Sequence, residues 1–189
     1  MTKPLRSQAT RDRILNEARR LFAELGYERT TIRAIAAAAA INVSMVVRYF
    51  GSKEDLFAKA ASLDLHVPDL ASVPPDKRGE AIITRFLERW EGPEAGDELP
   101  ALVRAAATHD AARQRVIELI MMQAGPEIRS TLADGQFERR LGLIITQISG
   151  LAFSRYVLKA PLVVALKRED IIQFLGATVQ RYLSEEIKT

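Results

Sequence analysis

Residues 31–53 read TIRAIAAAAAINVSMVVRYFGSK, and this stretch decides the fold. Thr31 is expected to cap a helix with apolar residues at helical spacing through Ala40, and Asn42 is expected to cap a shorter helix that ends before Gly51. Two helices joined by a turn of about three to four residues form a helix-turn-helix unit. In such a unit the second helix enters the DNA major groove, while the first crosses the DNA backbone.

The second helix of this unit has two different faces. Val46 and Phe50 stand four residues apart, so we expect both to point inward. The other side chains are expected to face the groove, where arginine and polar groups read base edges and valine contacts thymine methyl groups. The predicted groove-facing residues are Val43, Ser44, Met45, Val47, Arg48 and Tyr49.

Helix starts on either side of this recognition helix predict phosphate contacts. Thr31 and Arg33 open the first helix of the unit, and Lys53 opens the helix that follows the unit. The N–H groups of a helix N-terminus and a nearby cation both favour an anion. The sequence SKED at 52–55 has the spacing of a capping box, which supports a helix start at this point.

Charge is distributed unevenly along the chain. The 189 residues carry 27 Lys and Arg against 24 Asp and Glu, for a net charge of +3. Residues 1–60 hold 11 basic and 6 acidic side chains, so they are net +5, whereas the remainder is net −2. A basic head favours a polyanionic partner. Lys3 and Arg6 are expected on a flexible arm that reaches a DNA groove or a phosphate.

The rest of the chain also predicts helices and no strand. Helical periodicity covers residues 11–25, and the fourth helix is predicted over residues 52–65. Three prolines within residues 66–75 indicate a domain boundary. The expected fold is all-α, with a helix-turn-helix bundle at residues 1–65 and a larger regulatory and dimerisation domain at residues 66–189. In the second domain, helices are expected at about 76–91, 100–108, 110–124, 126–133, 137–158 and 168–187, with a connection at 159–166.

The helices expected at 137–158 and 168–187 carry stripes of small or apolar residues that predict a subunit interface. Gly142, Thr146, Gly150 and Ser154 recur every four residues, so a second backbone can approach closely. Two such helices from each of two subunits would form a four-helix interface. Alternatively, both stripes are buried against their own subunit. The predicted interface residues are Leu141, Ile145, Ile148, Leu151, Phe174, Leu175, Thr178 and Val179.

Large apolar side chains in the second domain are candidates for a small-molecule pocket. Such pockets are mostly apolar with a few polar groups, and methionine adapts to varied ligand shapes. The alternative for each candidate is an ordinary core or surface position, and His109 also suits a helix terminus. The candidates are Phe86, Trp90, His109, Met121, Met122 and Phe153.

The composition argues against several other classes of protein. There is no cysteine, and the two histidines lie far apart in the sequence, so we predict neither a disulfide framework nor a metal site. No apolar stretch reaches the ~18 residues of a membrane span, and the first residues lack the apolar core of a signal peptide, so a cytoplasmic location is expected. Nucleophile-elbow, Walker and dinucleotide-binding motifs are missing, so we predict neither an enzyme nor a cofactor.

The sequence resembles the TetR family of transcriptional regulators. The resemblance is carried by GYERTTIRAIA at 26–36 and VVRYFGSKEDLF at 46–57. In addition, LPALVRAAATHD at 99–110 and RYVL at 155–158 are similar to one subgroup of the family's C-terminal domains. The resemblance implies a homodimeric repressor that binds a palindromic operator. It also implies release by a small-molecule effector, which would pivot the fourth helix and change the spacing of the two DNA-binding heads.

Two positions depart from the family pattern. Ala40 stands in the turn where the family usually has glycine, and alanine is less favourable than glycine at a positive φ. Val47 stands where the family usually has tyrosine, which removes a hydroxyl that could contact phosphate. Three alternatives to a ligand-relieved repressor stay open: a constitutive or architectural DNA-binding protein, a transcriptional activator, and a helical module whose basic head meets anionic lipid or an acidic partner.

Overall fold

A computed structural model describes residues 3–60, 63–93, 95, 98–132 and 135–185, including all side chains except those of residues 3–7 and 23. Every regular element in these ranges is helical, which confirms the all-α prediction. The described residues form two compact units. The first unit combines Met1–Leu63 with Gly96–Val116, and the second combines Asp64–Ala95 with Ile117–Thr189.

Four N-terminal helices build most of the first unit. They are α1 (Lys3–Arg29), α2 (Ile32–Ala38), α3 (Val43–Phe50) and α4 (Lys53–Ala60). Their shared core is apolar because each helix contributes one inward stripe. The buried side chains of this core include Ile14, Phe22, Tyr27, Ile35, Val46, Phe50, Leu56 and Phe57.

The ends of α1 and α4 differ from the prediction. Helix α1 begins at Lys3, so the backbone of the expected flexible arm is helical, and the side chains of Lys3 and Arg6 lie outside the described ones. The fourth helix does not continue to residue 65, because Leu63 is already non-helical. The Asp64 carbonyl accepts a hydrogen bond from Nε of Arg89 at 2.7 Å.

A kink divides α1 near its end. Gly26 has φ 76°, a left-handed conformation that glycine adopts without a steric penalty. This confirms the prediction that the first helical run ends there. The buried hydroxyl of Thr30 secures the kink by donating to the carbonyls of Leu21 at 3.0 Å and Gly26 at 2.8 Å. The sequence did not single out Thr30.

The first unit also contains a segment from much later in the chain. Helix α6 (Glu98–Ala106) and the beginning of α7 (Asp110–Leu119) pack in this unit. Leu99, Leu102 and Ala105 of α6 are buried. The sequence predicts a single boundary after residue 65. In the structure, residues 98–116 nevertheless pack with the N-terminal helices.

The second unit begins with a 3-10 turn at Pro75–Lys77 and continues as α5 (Arg78–Glu91). Its other helices are α8 (Gly125–Ser130), α9 (Phe137–Ala152), α10 (Pro161–Val164), α11 (Arg168–Asp170) and α12 (Gly176–Ser184). Three single-turn π-helices extend or join these elements, at Ile120–Ala124, Phe153–Val157 and Ile171–Leu175. The long helices expected at 110–124, 137–158 and 168–187 therefore contain π turns, and the expected connection at 159–166 contains α10.

The core of the second unit is centred on α5 and α12. At their crossing the backbones approach so closely that a Cβ atom on Gly79 would overlap the carbonyl oxygen of Gly176. The Gly79 N–H also donates to Oε1 of Gln180 at 2.9 Å. The buried apolar side chains around this crossing are Leu70, Ile82, Ile83, Leu87, Ile128, Phe137, Leu141, Ile144, Leu151, Ile171, Val179 and Leu183.

Candidate nucleic-acid interface

The turn between α2 and α3 has a left-handed residue at its centre. Ala40 has φ 51°, its N–H donates to the Ala37 carbonyl at 3.0 Å, and the Ile41 N–H donates to the Ala36 carbonyl at 2.9 Å. These two bonds form a Schellman motif, in which glycine is the usual left-handed residue. The turn is therefore retained without glycine, and the backbone of Ala40 is strained.

This turn sets the angle between α2 and α3. The two helices are bent by 109° relative to each other, within the range of about 90–120° for helix-turn-helix pairs. Among the described residues, no single helix is both long and apolar enough to cross a membrane. Only together, across this bend, do α2 and α3 reach such a length and composition.

The helix starts agree with the predicted caps in two cases out of three. Oγ1 of Thr31 accepts a 3.1 Å hydrogen bond from the Ala34 N–H, as expected for an N-cap of α2. Asn42 occupies the N-cap position of α3, but its side chain makes no capping bond, which corrects the prediction. Its backbone carbonyl instead accepts from the Met45 N–H at 2.9 Å.

The third cap fixes the start of α4. The Asp55 N–H donates to Oγ of Ser52 at 3.0 Å, and the Ser52 N–H donates to Oδ2 of Asp55 at 3.2 Å. This reciprocal pair is the predicted capping box. It holds the first turn of α4, which carries Lys53.

Helix α3 presents the predicted outer face to solvent. Val46 and Phe50 are buried, whereas Val43 is 38% exposed and Val47 is 48% exposed. An exposed valine pair on a short helix is not explained by packing within the unit. Of the other predicted DNA-binding residues, Thr31, Arg33, Ser44 and Arg48 are exposed, and Met45, Tyr49 and Lys53 are half-buried.

Two exposed arginines, one on α2 and one on α3, are available to bind an anion. Within the part of the chain that the structure describes, neither Arg33 nor Arg48 makes a hydrogen bond or an ion pair through its side chain. Guanidinium groups bind phosphate and guanine through paired donors. The positions of Arg33 at the start of α2 and Arg48 on α3 are therefore consistent with the predicted phosphate and base contacts.

Lys53 is held against the kinked end of α1. Its Nζ lies 4.2 Å from the ring centroid of Tyr27 and donates to the Glu28 carbonyl at 3.4 Å. The hydroxyl of Tyr27 donates to Oε1 of Glu54 at 2.7 Å. Oε2 of Glu54 lies 3.9 Å from Nε2 of His109. Sequence reasoning missed the roles of Tyr27 and Glu54, whose only signal was their place in the family-like stretches.

The Tyr27–Glu54 pair perturbs the ionisation of both groups. Burial is the main reason that the pKa of the Tyr27 hydroxyl is raised well above its ordinary value, and its hydrogen bond to Glu54 adds to the rise. Burial acts on Glu54 in the same direction, but hydrogen bonds from Tyr27, the Glu54 N–H and Ser52 outweigh it, so the pKa of Glu54 is lowered. The pair is therefore a neutral phenol donating to a carboxylate.

Two of the predicted ligand-binding residues, Phe86 and Trp90, belong to one aromatic cluster. The ring centroids of Phe86 and Trp90 are 5.5 Å apart, and Trp90 stacks on Tyr156 at 4.6 Å. The Tyr156 hydroxyl donates to Oε1 of Glu91 at 2.9 Å, and burial followed by this bond raises its pKa. Nε of Arg155 also donates to Oε1 of Glu91, at 2.8 Å.

The other predicted ligand-binding residues have different surroundings. Met121, Met122 and Phe153 are exposed, with Met122 at 73%. All three lie on π-helical turns of the second unit. His109 packs with the first unit, where Nε2 faces Glu54, and so it lies apart from the other candidates, which belong to the second unit.

The predicted interface residues divide into core and groove. Leu141 and Val179 are buried in their own unit, which supports for them the alternative of intrasubunit packing. Leu151, which is itself a buried core residue, lines an open groove of about 540 Å³ together with Phe174, Leu175 and Thr178; the groove lies between α9 and the Ile171–Leu175 turn with α12. Ile145 and Ile148 are half-buried beside the core.

Both domains match known protein families. Residues 14–60 match the family described as "Bacterial regulatory proteins, tetR family". Residues 76–183 match the family described as "Tetracyclin repressor-like, C-terminal domain". Together these matches cover the helix-turn-helix unit and most of the later helices.

Individual relatives agree with the family matches. The chain is 30% identical over 129 residues to the HTH-type transcriptional regulator UidR of Escherichia coli K12, covering 67% of this chain and 58% of UidR. It is 38% identical over 56 residues to the regulator HbdR of Aromatoleum sp. strain CIB, covering 30% of this chain and 24% of HbdR. The longer match thus spans less than two thirds of UidR.

A solved structure shows the same fold. A transcriptional regulator from Rhodococcus sp. Rha1 superposes with a TM-score of 0.54 at 20% identity, covering 92% of this chain and 95% of that one. The helix-turn-helix geometry, the capped start of α4 and the matches over both domains point the same way. The chain belongs to the TetR family of DNA-binding transcriptional regulators.

Proposed function

We propose that this protein is a homodimeric repressor whose operator binding is relieved by a small-molecule effector. The observation that carries the proposal is the two-faced α3. Val46 and Phe50 anchor the helix, whereas Val43, Val47 and Arg48 face solvent. A short helix with an exposed apolar and cationic face suits the DNA major groove.

The proposed DNA contacts fall into two classes. Base edges and groove walls would be met by Val43, Ser44, Met45, Val47, Arg48 and Tyr49. Phosphates would be met by Thr31, Arg33 and Lys53. Base contacts determine sequence preference, whereas phosphate contacts supply affinity for any duplex and make it depend on salt.

The groove on the second unit supports dimerisation. Phe174 is 68% exposed at its edge, and a Cβ atom on Gly150 in its wall would meet only open space. A projecting aromatic ring beside an apolar groove suits a two-fold contact, in which each Phe174 ring would cover the groove of the other copy. We therefore assign the groove to a second copy of this chain, with Leu151, Phe174, Leu175 and Thr178 at the contact and Ile145 and Ile148 on the same helix as Leu151.

The aromatic cluster of the second unit supports an effector site. Phe86, Trp90 and Tyr156 offer flat apolar surface, and the Glu91 carboxylate lies at the edge of the cluster. Small-molecule sites combine apolar walls with a few polar groups in this way. An effector bound there would lower operator affinity by changing the spacing of two heads that must stand about 34–36 Å apart.

The test is selection of bound DNA from random and genomic fragments. A specific dimeric repressor should enrich a two-fold symmetric consensus and prefer it by about 10³ or more over random duplex. Enrichment without symmetry or preference would support the architectural alternative, and no binding at low salt would overturn the proposal. Compounds are then screened for release of the selected operator, and failure of every compound class would remove the effector from the proposal.

A further inference from the structure

Residues 98–116 contribute polar contacts to the end of α1 and to the start of α4. Nη1 of Arg104 lies 3.0 Å from Oε1 of Glu28, at the end of α1. Nε2 of His109 lies 3.9 Å from Oε2 of Glu54, in the first turn of α4. Both contacts lie within the first unit, and both come from outside the N-terminal family match, which ends at residue 60.

These two carboxylates belong to residues that contact or adjoin Lys53. Glu54 follows Lys53 in the chain, and the Glu28 carbonyl is 3.4 Å from the Lys53 ammonium. Nevertheless, among the described residues Lys53 makes no salt bridge. The carboxylate of Glu28 instead pairs with Arg104, and that of Glu54 accepts the Tyr27 hydrogen bond and has Nε2 of His109 at 3.9 Å.

The state of the Lys53 ammonium matters for its proposed contact. A lysine paired with a carboxylate must lose that partner before it can bind a phosphate. A lysine that contacts only an aromatic ring and a neutral carbonyl has no counter-ion, so its remaining N–H donors are available to a phosphate. Anything that keeps Glu28 and Glu54 occupied therefore favours binding of phosphate by Lys53.

We propose that Arg104, assisted by His109, is a positioning residue for Lys53, because it keeps the neighbouring carboxylates occupied and leaves the ammonium to a DNA phosphate. This inference rests on the proposed phosphate contact of Lys53. It makes residues 98–116 part of the DNA-binding machinery although they lie far from the helix-turn-helix in the sequence. A signal that displaced Arg104 would weaken binding to every duplex and leave base preference unchanged.

The expected effect is modest, because the Arg104–Glu28 pair is exposed. Arg104 and Glu28 are 51% and 66% exposed. Exposed pairs change equilibria by about two- to five-fold. Effects of this size can be resolved only against a control with the same loss of charge. Arg113 provides that control, because it lies on α7, is 52% exposed and pairs with Asp110 at 2.7 Å.

The experiment measures the Kd of the full-length protein for a fluorescent random-sequence 30-base-pair duplex as a function of salt. We expect Arg104→Met to raise the Kd about two- to five-fold beyond the effect of Arg113→Met. Its salt slope should fall towards that of Lys53→Met, which loses about one phosphate contact. Arg104→Lys should restore most of the affinity, and the melting temperature of each variant checks its fold.

Two further variants, Glu28→Gln and Lys53→Met, test whether Arg104 acts through Glu28 and Lys53 or only through its own positive charge. If Arg104 acts by occupying Glu28, Arg104→Met should have no excess effect over Arg113→Met in a Glu28→Gln protein, and none in a Lys53→Met protein. Equal effects of Arg104→Met and Arg113→Met, or an excess that persists in either background, would overturn the inference while leaving the repressor proposal intact. If Lys53→Met itself leaves affinity and salt slope unchanged, both the phosphate contact and its positioning are overturned.

Discussion

The hydroxyl of Tyr27 donates a 2.7 Å hydrogen bond to Oε1 of Glu54, which joins the residue after the kink of α1 to the first turn of α4. The Tyr27 ring also contacts Phe57, with centroids 4.8 Å apart, and lies beneath Lys53. Tyr27 thus connects the core of the first unit to Lys53, the proposed phosphate-binding residue. The geometry of this residue determines where the start of α4 is held.

Stability at acid pH should depend on Glu54. Its pKa is lowered below the ordinary value of 4.5, so folding favours the carboxylate. The stabilisation is complete above the ordinary pKa and is lost as the pH falls through the lowered one. We expect the free energy of unfolding of Glu54→Gln to fall less steeply below pH 5 than that of the wild-type protein. Denaturant titrations at several pH values measure this, and identical pH profiles would contradict it.

The matched control for this prediction is Glu24→Gln. Glu24 is an exposed partner of Arg20 on α1. Glu54→Gln should change the steepness more than this variant does, because exposed ion pairs contribute little to stability. In addition, Tyr27→Phe should lower stability by about 1.5 kcal/mol at neutral pH, because it removes a hydrogen bond to a charged acceptor.

Replacing Ala40 with glycine should stabilise the protein. Ala40 has φ 51°, where a Cβ atom is unfavourable by about 1–2 kcal/mol. Glycine also loses more entropy on folding, so we expect a net gain of about 1 kcal/mol for Ala40→Gly. Denaturant unfolding measures the change. Ala38→Gly, two residues earlier at the end of helix α2, should instead destabilise by about 0.5–1 kcal/mol. Destabilisation by both would show that the turn is not strained.

The crossing of α5 and α12 should not tolerate a methyl group. A Cβ atom on Gly79 would overlap the Gly176 carbonyl oxygen and crowd the backbone of Gln180, none of which can rotate away. We expect Gly79→Ala to lower the free energy of unfolding by about 1–3 kcal/mol. Gly142→Ala on α9 meets open space and should be neutral or stabilising. Equal behaviour of the two variants in thermal melts would argue against this packing.

The proposed dimer should be broken by a charge in the groove. Phe174→Glu places a carboxylate where the second copy would bury an aromatic ring, so we expect monomers by light scattering and a large loss of operator affinity. Met122→Glu changes another exposed apolar residue of the same unit that does not line the groove, and it should leave the dimer intact. A Phe174→Glu protein that still elutes as a dimer would remove the groove from the interface.

Base and phosphate contacts should be separable by mutation. Arg48→Ala is expected to weaken binding by about 1–3 kcal/mol and to relax preference at one base position. Lys53→Ala should weaken binding on all sequences alike and reduce the salt slope by about one. Competition binding with single-base variants of the selected operator distinguishes the two. Small and equal effects of both substitutions would contradict the docking of α3 in the major groove.

Local signals in the sequence determined most of the structure of the four N-terminal helices. The capping box of Ser52 and Asp55, the Thr31 cap, the break at Gly26 and the inward pair Val46 and Phe50 all depend on neighbours within a few residues. Their physics acts over one or two helical turns, so residue type and spacing suffice. The all-α class follows from the same short-range periodicity.

Only the tertiary structure decided which distant residues meet. Arg104 contacts Glu28 across 76 positions of the chain, and Gly79 meets Gly176 where two helices cross. It also decided that Leu141 and Val179 fill their own core while Phe174 stays exposed, although all three lie on helical apolar stripes. Helical periodicity shows that a residue is on an apolar face, but not what packs against that face. That choice depends on the combined shapes and charges of all the helices.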